Sequence, residues 1–352
     1  MSDDTPADGE ARDADAPAVA PPVLHPWLVP VAGEWLARRA RWPHALLLAG
    51  PEGVGKRDLA LVFAQALLCE TPTAEGFACH ACPSCHYVAA RQHPDLRVVE
   101  PLEIDEDTVK VLEWIPVKHI RALTDWVQIT AHRGVAKVAV IAPAERLNHE
   151  AANALLKTLE EPPSGTFVLL VANQAGRLPA TIVSRCVRLA VPTPAAETAR
   201  AWLTAQRVRE PAALLAQAAG APLRALALAD AGYQAERAAW LGALVAPRTL
   251  SPLALSARID AAPRDERKLR LAAAIDWLIA WSLDLAAVAS GGEAARNVDF
   301  AEGLSRLAAT VARVPLSRYH RTLLRERSRL SHPLAPRLVA EALLIDYRAL
   351  FD

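Results

Sequence analysis

Residues 151–186 read AANALLKTLEEPPSGTFVLLVANQAGRLPATIVSRC, and they decide the fold. Asn148, just before them, suits a helix N-cap, and apolar residues then recur at helical spacing until Pro162 and Pro163 end the pattern. Residues 167–172 form a short apolar run, which is typical of a strand buried on both faces of a parallel sheet. A helix followed by such a strand predicts an α/β domain.

Two polar side chains stand beside strands of this predicted domain. Asn173 comes directly after the apolar run, at the strand end where open α/β sheets place ligand-contacting groups, so it is a candidate sensor of bound phosphate. Ser184-Arg185-Cys186 precedes the next predicted strand, residues 187–191, and displays Arg185 at the edge of the domain. Cys186 is predicted to be a packed thiol beneath Arg185.

The motif LLKTLEEPP followed by SRC resembles the clamp-loader branch of the AAA+ proteins, and the combination resembles the delta-prime family of bacterial DNA polymerase III subunits. The resemblance covers the α/β part of the chain strongly and the remainder by general pattern. It implies an α/β AAA+ domain with a parallel sheet of the P-loop NTPase type, followed by a small helical lid and a C-terminal all-α collar domain. It also implies that Arg185 is an arginine finger, which acts in trans on the ATP of a neighbouring subunit.

A glycine-rich loop upstream has the spacing of a phosphate-binding loop. Gly50, Gly53 and Gly55 with Lys56 give G-x-x-x-x-G-K, in which backbone N–H groups cradle phosphates and the lysine reaches the terminal phosphates. The next residue is Arg57, where a working loop has the Ser or Thr hydroxyl that holds magnesium. Two interpretations stay open: a vestigial anion cradle that binds ATP weakly or not at all, and a strand-to-helix turn kept for folding.

The magnesium-binding carboxylates of a P-loop ATPase are also missing from the sequence. The strand predicted at residues 138–142 should end in an acidic pair, but the chain continues Ala142-Pro143-Ala144-Glu145. Phosphoryl transfer depends on positioning and charge, so the joint loss of the hydroxyl and the carboxylates predicts no ATP hydrolysis by this chain. Glu145 is expected to be a solvated loop residue.

Four of the five cysteines are close together in the sequence. Cys79, Cys82 and Cys85 form C-x-x-C-x-x-C, and Cys69 precedes them, a pattern that favours a metal over disulfides in a reducing cytoplasm. Four thiolates supply a closed tetrahedral zinc site, whereas a tandem iron–sulfur cluster would need a further cysteine shortly after Cys85. The alternatives are free thiols or a histidine ligand, for which the candidates are His80, His86 and His93. The family resemblance implies a structural Zn²⁺ module at residues 69–85.

Composition bounds the class of protein. The chain has 352 residues, 52% of them hydrophobic, which is enough for two or three domains with cores of their own. Its formal net charge is zero, which gives no argument for direct nucleic-acid binding. No uninterrupted apolar run reaches the ~18 residues of a membrane span, and the start of the chain lacks the basic and apolar regions of a signal peptide, so we expect a cytoplasmic protein.

Changes in composition along the chain predict four regions. Residues 1–22 are acidic and are predicted to be a disordered tail. Residues 23–193 hold the alternating strands and helices of the AAA+-like domain. Residues 194–234 are predicted to be the helical lid, and residues 235–352 the helical collar that carries oligomerisation.

Some residues of the two helical regions have more than one interpretation. Arg224 lies where AAA+ lids place a second phosphate sensor, and is otherwise a solvated residue of a first helical turn. The collar tryptophans are predicted to be core residues: Trp240, Trp277 and Trp281. A group of arginines is interpreted as a charged surface or subunit contact rather than a nucleic-acid patch: Arg318, Arg321, Arg325, Arg327 and Arg329.

Three functional classes remain. The missing magnesium ligands favour a non-hydrolysing stator subunit of the DNA polymerase III clamp loader, which helps load the sliding clamp on primed DNA during replication. The second class is an ATP-hydrolysing gamma/tau-like motor subunit, and the third, an unrelated zinc-dependent nucleic-acid module, is disfavoured because the cysteines lie inside the AAA+-like unit. The resemblance implies a hetero-oligomer with gamma/tau and delta subunits, within a holoenzyme that is a nucleotidyltransferase only as a complex.

Overall fold

The computed structural model describes residues 22–105, 108–133, 136–330 and 335–352. The predicted acidic tail lies, apart from Pro22, outside the described residues. The chain divides into two compact units, which are described separately below. Among the described residues, the first comprises 22–49 and Arg57–Leu189, and the second comprises Gly50–Lys56 and Ala190–Asp352. The glycine-rich loop therefore groups with the C-terminal helices, although it follows a strand of the first unit in the chain.

A five-stranded sheet forms the centre of the α/β part, with the strand order β2-β5-β6-β1-β7. The strands are β1 (Ala45–Ala49), β2 (Leu96–Val99), β5 (Lys137–Ile141), β6 (Thr166–Ala172) and β7 (Val187–Ala190). The pairs β2–β5, β5–β6 and β6–β1 are parallel, so the predicted parallel sheet is confirmed. Every residue of β1 and β5 is buried, because helices cover both faces of the sheet.

The α-helices among the described residues of the α/β part are α1 (Val29–Leu36), α2 (Lys56–Leu68), α3 (Pro83–Ala89), α4 (Val117–Gln128), α5 (His149–Glu160) and α6 (Ala180–Val183). Helix α5 begins where the sequence predicts, since the Asn148 side chain accepts a hydrogen bond from the backbone N–H of Ala151 at 2.7 Å. Its buried Leu155 packs in one cluster with Ile120 of α4 and with Leu47 and Leu170 of the sheet.

The acidic composition of the residues after β2 predicts a loop from residue 100 to residue 107, but the structure has a strand there. Strands β3 (Leu102–Asp105) and β4 (Thr108–Val111) form a separate antiparallel pair. The sequences LEID and TVKV alternate apolar and polar residues with the period of a strand. Acidic composition masked this alternation, so composition was the wrong guide here.

The second unit contains helices only among its described residues after β7. They are α7 (Ala196–Ala205), α8 (Pro211–Gln217), α9 (Pro222–Leu228), α10 (Ala231–Leu244), α11 (Pro252–Asp260), α12 (Arg267–Ala289), α13 (Ala301–Ala308), α14 (Arg313–Ser328) and α15 (Pro336–Arg348). A small apolar cluster lies within α7 to α9, around Leu203 and Leu214. A second, larger cluster lies within α10 to α15, and it includes all three predicted core tryptophans. Helix α10 runs across the predicted domain limit at residue 234.

Helix α12 is apolar because it is the central helix of the larger cluster. Among the described residues it is the one unbroken helix long and apolar enough to cross a membrane, but half of that apolar window is buried inside the protein. Trp281 is fully buried and donates its indole N–H to the Tyr347 hydroxyl at 2.9 Å. That hydroxyl in turn donates to the carbonyl of Leu244 at 2.8 Å. These contacts are those of a core helix.

Candidate functional site

The glycine-rich loop belongs to the second unit and packs tightly against other backbone of that unit. Gly53 has a φ of +81°, and a Cβ added there would lie 2.7 Å from the backbone nitrogen of Arg224. The Gly53 carbonyl accepts a hydrogen bond from the backbone N–H of Leu223 at 2.9 Å. A Cβ added at Gly50 would lie 1.9 Å from the carbonyl oxygen of Val191. Close packing is thus a reason for both glycines that needs no bound phosphate.

Lys56, the candidate phosphate-binding lysine, is 3% exposed. Its ammonium group donates a hydrogen bond to the carbonyl oxygen of Pro51 within the same loop, at 2.5 Å. Lys56 is the first residue of α2, and its positive charge therefore points at a backbone carbonyl of the loop. This contact stabilises the loop conformation and satisfies part of the lysine's hydrogen-bonding capacity.

Arg57 occupies the position of the magnesium-binding hydroxyl and makes an ion pair with Glu100, the residue after β2. Its Nε donates to Oε1 of Glu100 at 2.6 Å, and its Nη2 donates to Oε2 at 3.0 Å. Both side chains are one third exposed or less. The hydrogen bonds to Glu100 raise the pKa of Arg57 above its ordinary value. The position of the metal-binding hydroxyl is therefore occupied by the charged guanidinium of Arg57, which is paired with the carboxylate of Glu100.

The end of β5 carries no carboxylate, but Glu145 beyond it is not a solvated loop residue as expected. Its carboxylate accepts the backbone N–H of Asn173 through Oε1 at 3.0 Å and Oε2 at 3.2 Å. Asn173 directly follows β6, the neighbour of β5 in the sheet. Glu145 therefore joins the carboxyl ends of two adjacent strands, a contact that strand-by-strand sequence analysis does not reveal.

The four clustered cysteines come together in space. All their Sγ atoms lie within 4.8 Å of one another. The Sγ atoms of Cys69 and Cys82 are 3.9 Å apart, as are those of Cys79 and Cys85. A tetrahedral zinc site with Zn–S bonds of ~2.3 Å has S···S edges of about 3.8 Å. Both the donor set and the spacing therefore fit a closed Zn²⁺ site.

Local secondary structure explains how the cysteines converge. Cys69 directly follows α2, and Cys82 is the N-cap of α3, which places Cys85 in its first turn. Hydrogen bonds from the Thr71 hydroxyl and from the backbone N–H groups of Ala81 and Cys82 lower the pKa of Cys79 to about 5. Such donors stabilise a thiolate, which is the form that binds a metal.

The candidate histidine ligands do not join this cluster, whose four members are all cysteines. His80 and His86 are exposed. His93 is buried, and its Nδ1 accepts the backbone N–H of Asp95 at 3.0 Å. Among the described residues, the four-cysteine set is thus the one that the geometry supports.

An ion pair and backbone hydrogen bonds connect the cysteine module to the edge of the sheet. Glu70, next to Cys69, accepts a hydrogen bond from the Ser84 hydroxyl and pairs with Arg133, both at 2.8 Å. The carboxylate of Asp95 accepts the backbone N–H groups of His132 and Arg133 at 2.8 and 2.9 Å. The module therefore stabilises the loops at one edge of the sheet, which agrees with a structural role.

Arg185 lies just after the short helix α6, and its guanidinium contacts Glu160, Thr181 and, at 3.5 Å, the Ser184 hydroxyl. Its Nη2 is 2.5 Å from Oε1 of Glu160, the last residue of α5. Its Nη1 donates to the carbonyl oxygen of Thr181 at 2.9 Å. The Arg185 side chain keeps 34% of its surface exposed. Cys186 beside it is half-buried, and burial raises the pKa of its thiol to about 11, as for a packed and unreactive thiol.

The remaining sequence candidates lie on the surface of the second unit. Arg224 is exposed in the first turn of α9. Arg327 of α14 makes an ion pair with Asp276, and Arg329, just after the helix, makes one with Glu326. The buried residues of α14 include Leu316 and Leu323, so its other arginines lie on the opposite, solvated face. These contacts are those of a charged helix surface.

These features define a class: an α/β protein with a P-loop-like turn, without the magnesium ligands of an ATPase, and with an attached cysteine module. Residues 35–195 match the sequence model of the family described as "DNA polymerase III, delta subunit". The chain is 43% identical to DNA polymerase III subunit delta' of Pseudomonas aeruginosa over 219 residues, 61% of this chain and 64% of that protein. It is 35% identical to the Escherichia coli subunit delta' over 209 residues, 58% of this chain and 60% of that protein.

A tau subunit is also similar, over a shorter length. The chain is 38% identical to DNA polymerase III subunit tau of Escherichia coli over 145 residues, 41% of this chain and 21% of that protein. The chain thus spans less than two thirds of the length of these relatives. The resemblance to the delta-prime family that LLKTLEEPP and SRC indicate is confirmed, and so is the expected fold class.

Sequence analysis missed three carboxylates that contact the predicted site residues: Glu100, Glu145 and Glu160. Each contact joins residues that are 25 or more positions apart, as the separation of Arg185 from Glu160 illustrates. Glu160 had a signal in the quoted motif, since it lies in LLKTLEEPP, but the motif alone does not say what its carboxylate contacts.

Proposed function

We propose that this chain is a non-hydrolysing subunit of a bacterial DNA polymerase III clamp loader. The similarity to delta' subunits supports the assignment to this assembly. The observation that carries the non-hydrolysing role is the Arg57–Glu100 ion pair at the position of the magnesium-binding hydroxyl. No carboxylate follows β5 directly. The chain therefore supplies neither the hydroxyl nor the carboxylate ligands of the magnesium site that an ATPase would have.

In this proposal the chain assembles with gamma/tau and delta subunits in the cytoplasm and helps load the sliding clamp on primed DNA. Residues 23–193 form the AAA+-like domain, residues 194–234 the lid and residues 235–352 the oligomerising collar. The polymerase activity belongs to the complete holoenzyme. The loop with Gly50, Gly53, Gly55 and Lys56 binds ATP weakly or not at all, since packing and internal hydrogen bonds satisfy part of it.

Zn²⁺ is the proposed cofactor, and Cys69, Cys79, Cys82 and Cys85 would hold it. Bound there, the ion would supply a cross-link between the end of α2, the loop after it and α3, and no open coordination position for catalysis. The ion pair of Glu70 with Arg133 and the hydrogen bonds of Asp95 would carry this rigidity to the sheet.

Arg185 is the proposed catalytic residue, an arginine finger that acts in trans on ATP bound to a neighbouring subunit. Its partly exposed guanidinium and its place after α6 are compatible with this role. A guanidinium stabilises the charge on the transferring phosphoryl group, which is worth ~10³–10⁵ in rate in the best cases. An ion pair of purely structural value at such a site would contribute at most ~1 kcal/mol to stability.

The test is a clamp loader reconstituted from this chain and the delta and gamma/tau subunits of the same bacterium. Arg185→Ala should leave assembly and zinc content intact while it slows the ATP hydrolysis that clamp and primed DNA stimulate. Lys56→Ala in this chain should change neither property. A wild-type ATPase rate for Arg185→Ala, with assembly confirmed, would contradict the finger role. ATP hydrolysis by the isolated chain that Lys56→Ala abolishes would instead favour the gamma/tau-like motor.

A further inference from the structure

The guanidinium of Arg185 is held from two directions before any partner is present. Glu160 Oε1 lies 2.5 Å from Nη2, and the Thr181 carbonyl accepts from Nη1 at 2.9 Å. The two anchors have different origins, since Glu160 ends α5 and Thr181 lies in α6. The backbone N–H of Arg185 also donates to the carbonyl of Ile182 at 3.1 Å, which fixes the turn that carries the side chain.

We propose that Glu160 is a positioning residue for Arg185, which holds the guanidinium in the conformation that engages the neighbouring subunit's ATP. This inference rests on the proposed role of Arg185 in trans. A free arginine side chain has many rotamers, and a side chain fixed in advance loses less rotamer entropy when it engages a phosphate. Glu160 thus favours the reactive geometry without contact to the nucleotide.

The hydrogen-bonding capacity of the guanidinium allows both roles at once. A guanidinium has five N–H donors, and the contacts to Glu160, Thr181 and the Ser184 hydroxyl, the last at 3.5 Å, use at most three of them. At least two donors stay available for phosphate oxygens. The side chain of Arg185 is 34% exposed, so an approaching ligand can reach it while both anchors persist.

The fold itself has little need of this ion pair. The Glu160 side chain is 48% exposed, and exposed ion pairs contribute little to stability. Substitution of Glu160 should therefore leave folding and assembly unchanged, and any loss of ATPase activity would come from Arg185. Glu161 is the matched control, because it is the adjacent exposed glutamate of the same motif.

The experiment measures ATP hydrolysis by the reconstituted clamp loader with saturating clamp and primed DNA. Glu160→Ala should lower kcat about 3- to 30-fold and change KM for ATP less than about twofold, since positioning acts on the transition state. The uncharged, equally sized Glu160→Gln should lower kcat less, and Glu161→Gln should have the wild-type kcat. Adding Glu160→Ala to Arg185→Ala should cause no further loss, because Glu160 acts only through Arg185.

Three outcomes would overturn the proposal. The first is a wild-type kcat for Glu160→Ala. The second is a raised kcat for Glu160→Ala, which would make Glu160 an inhibitory counter-ion. The third is a kcat of the double variant below that of Arg185→Ala. The clamp loader that carries Arg185→Ala distinguishes failure of the Glu160 positioning role from failure of the Arg185 finger role. If its rate is lowered while Glu160→Ala is unaffected, only the positioning role fails. If its rate is that of the wild type, the finger role fails.

Discussion

The guanidinium of Arg57 and the carboxylate of Glu100 are joined by two parallel hydrogen bonds of 2.6 and 3.0 Å. This fork-to-fork geometry is the strongest form of an arginine–carboxylate contact. It ties the first turn of α2 to the residue after β2, an edge strand of the sheet. The residue that removes the magnesium ligand therefore has a structural role in this fold.

The first prediction is that restoring the hydroxyl does not restore catalysis. Arg57→Thr should leave the isolated chain without magnesium-dependent ATP hydrolysis, because Ala142 and Pro143 still supply no carboxylate. The variant should also be less stable to urea by about 1–3 kcal/mol, since the Glu100 carboxylate loses its partner. Glu103→Gln, which removes an exposed ion pair with Lys118, is the control and should cost at most about 1 kcal/mol. Measurable turnover by Arg57→Thr would show that the missing hydroxyl alone disables the site.

The second prediction concerns the cysteine module. The purified chain should contain one zinc ion per molecule, and Cys82→Ser should lose it, because the Sγ atoms of all four cysteines lie within 4.8 Å. Binding of structural zinc is worth ~10–16 kcal/mol in small modules, so its loss should unfold residues 69–85 locally. Hydrogen exchange should then rise in this segment while the buried strands β5 and β6 stay protected.

Cys186→Ser is the control for zinc content, since this cysteine lies outside the cluster and packs in the α/β core. It should retain the full zinc content by elemental analysis. A chain that contains iron and acid-labile sulfide, or that keeps its zinc after Cys82→Ser, would contradict the assignment.

The third prediction is a pH dependence in the helical unit. The carboxylate of Glu236 accepts hydrogen bonds from Arg258 and from the indole N–H of Trp240 at 3.0 Å. The hydrogen bond from Arg258 is the main cause that lowers the pKa of Glu236 from its ordinary value of 4.5. A lowered pKa in the folded state means that this stabilisation is present above about pH 4.5 and is lost as the pH falls through the folded-state pKa.

Glu236→Gln should therefore be less stable than the wild type by about 1 kcal/mol at pH 7, a modest value because the Arg258 side chain is 44% exposed. The difference should shrink as the pH falls below 4.5. Urea unfolding between pH 3.5 and 7, followed by tryptophan fluorescence, measures it. Glu293→Gln, an exposed loop residue of the same unit, should show no such trend. A difference that is constant over this pH range would mean that the charge of Glu236 is not what stabilises the contact.

Much of the fold could be predicted from local patterns. The strands predicted at residues 138–142 and 167–172 are β5 and β6, and the helix after Asn148 ends before Pro162. Fully apolar strands and proline stops are local signals, so a single sequence carries them. The β3–β4 hairpin was missed because charged residues alternate with apolar ones there, and the acidic composition resembled a loop.

For the candidate sites too, contacts between residues close in sequence could be predicted and contacts between distant residues could not. Cys79, Cys82 and Cys85 are close in sequence, so their convergence could be predicted. Cys69 lies ten residues before Cys79, directly after α2, and joins them. The partners of Arg57, Asn173 and Arg185 could not be predicted, because each depends on the order of strands in the sheet or on the packing of α5 and α6. One sequence contains no signal for such distant pairs.

The last prediction concerns the contact between the glycine-rich loop and α9. Gly53 combines a φ of +81° with a Cβ position 2.6 Å from the Cβ of Arg224. Gly53→Ala should therefore destabilise the chain by about 2–4 kcal/mol, since the new methyl group meets backbone in a conformation that alanine rarely adopts. The control is Gly242→Ala in α10, where an added Cβ meets no atom within 4 Å and alanine favours the helix by ~1 kcal/mol. The two variants add the same methyl group, so opposite shifts in the urea midpoint would assign the effect to the loop contact. If Gly53→Ala is as stable as the wild type, the loop does not pack on α9 in solution, and an open phosphate cradle becomes the better interpretation of the glycines.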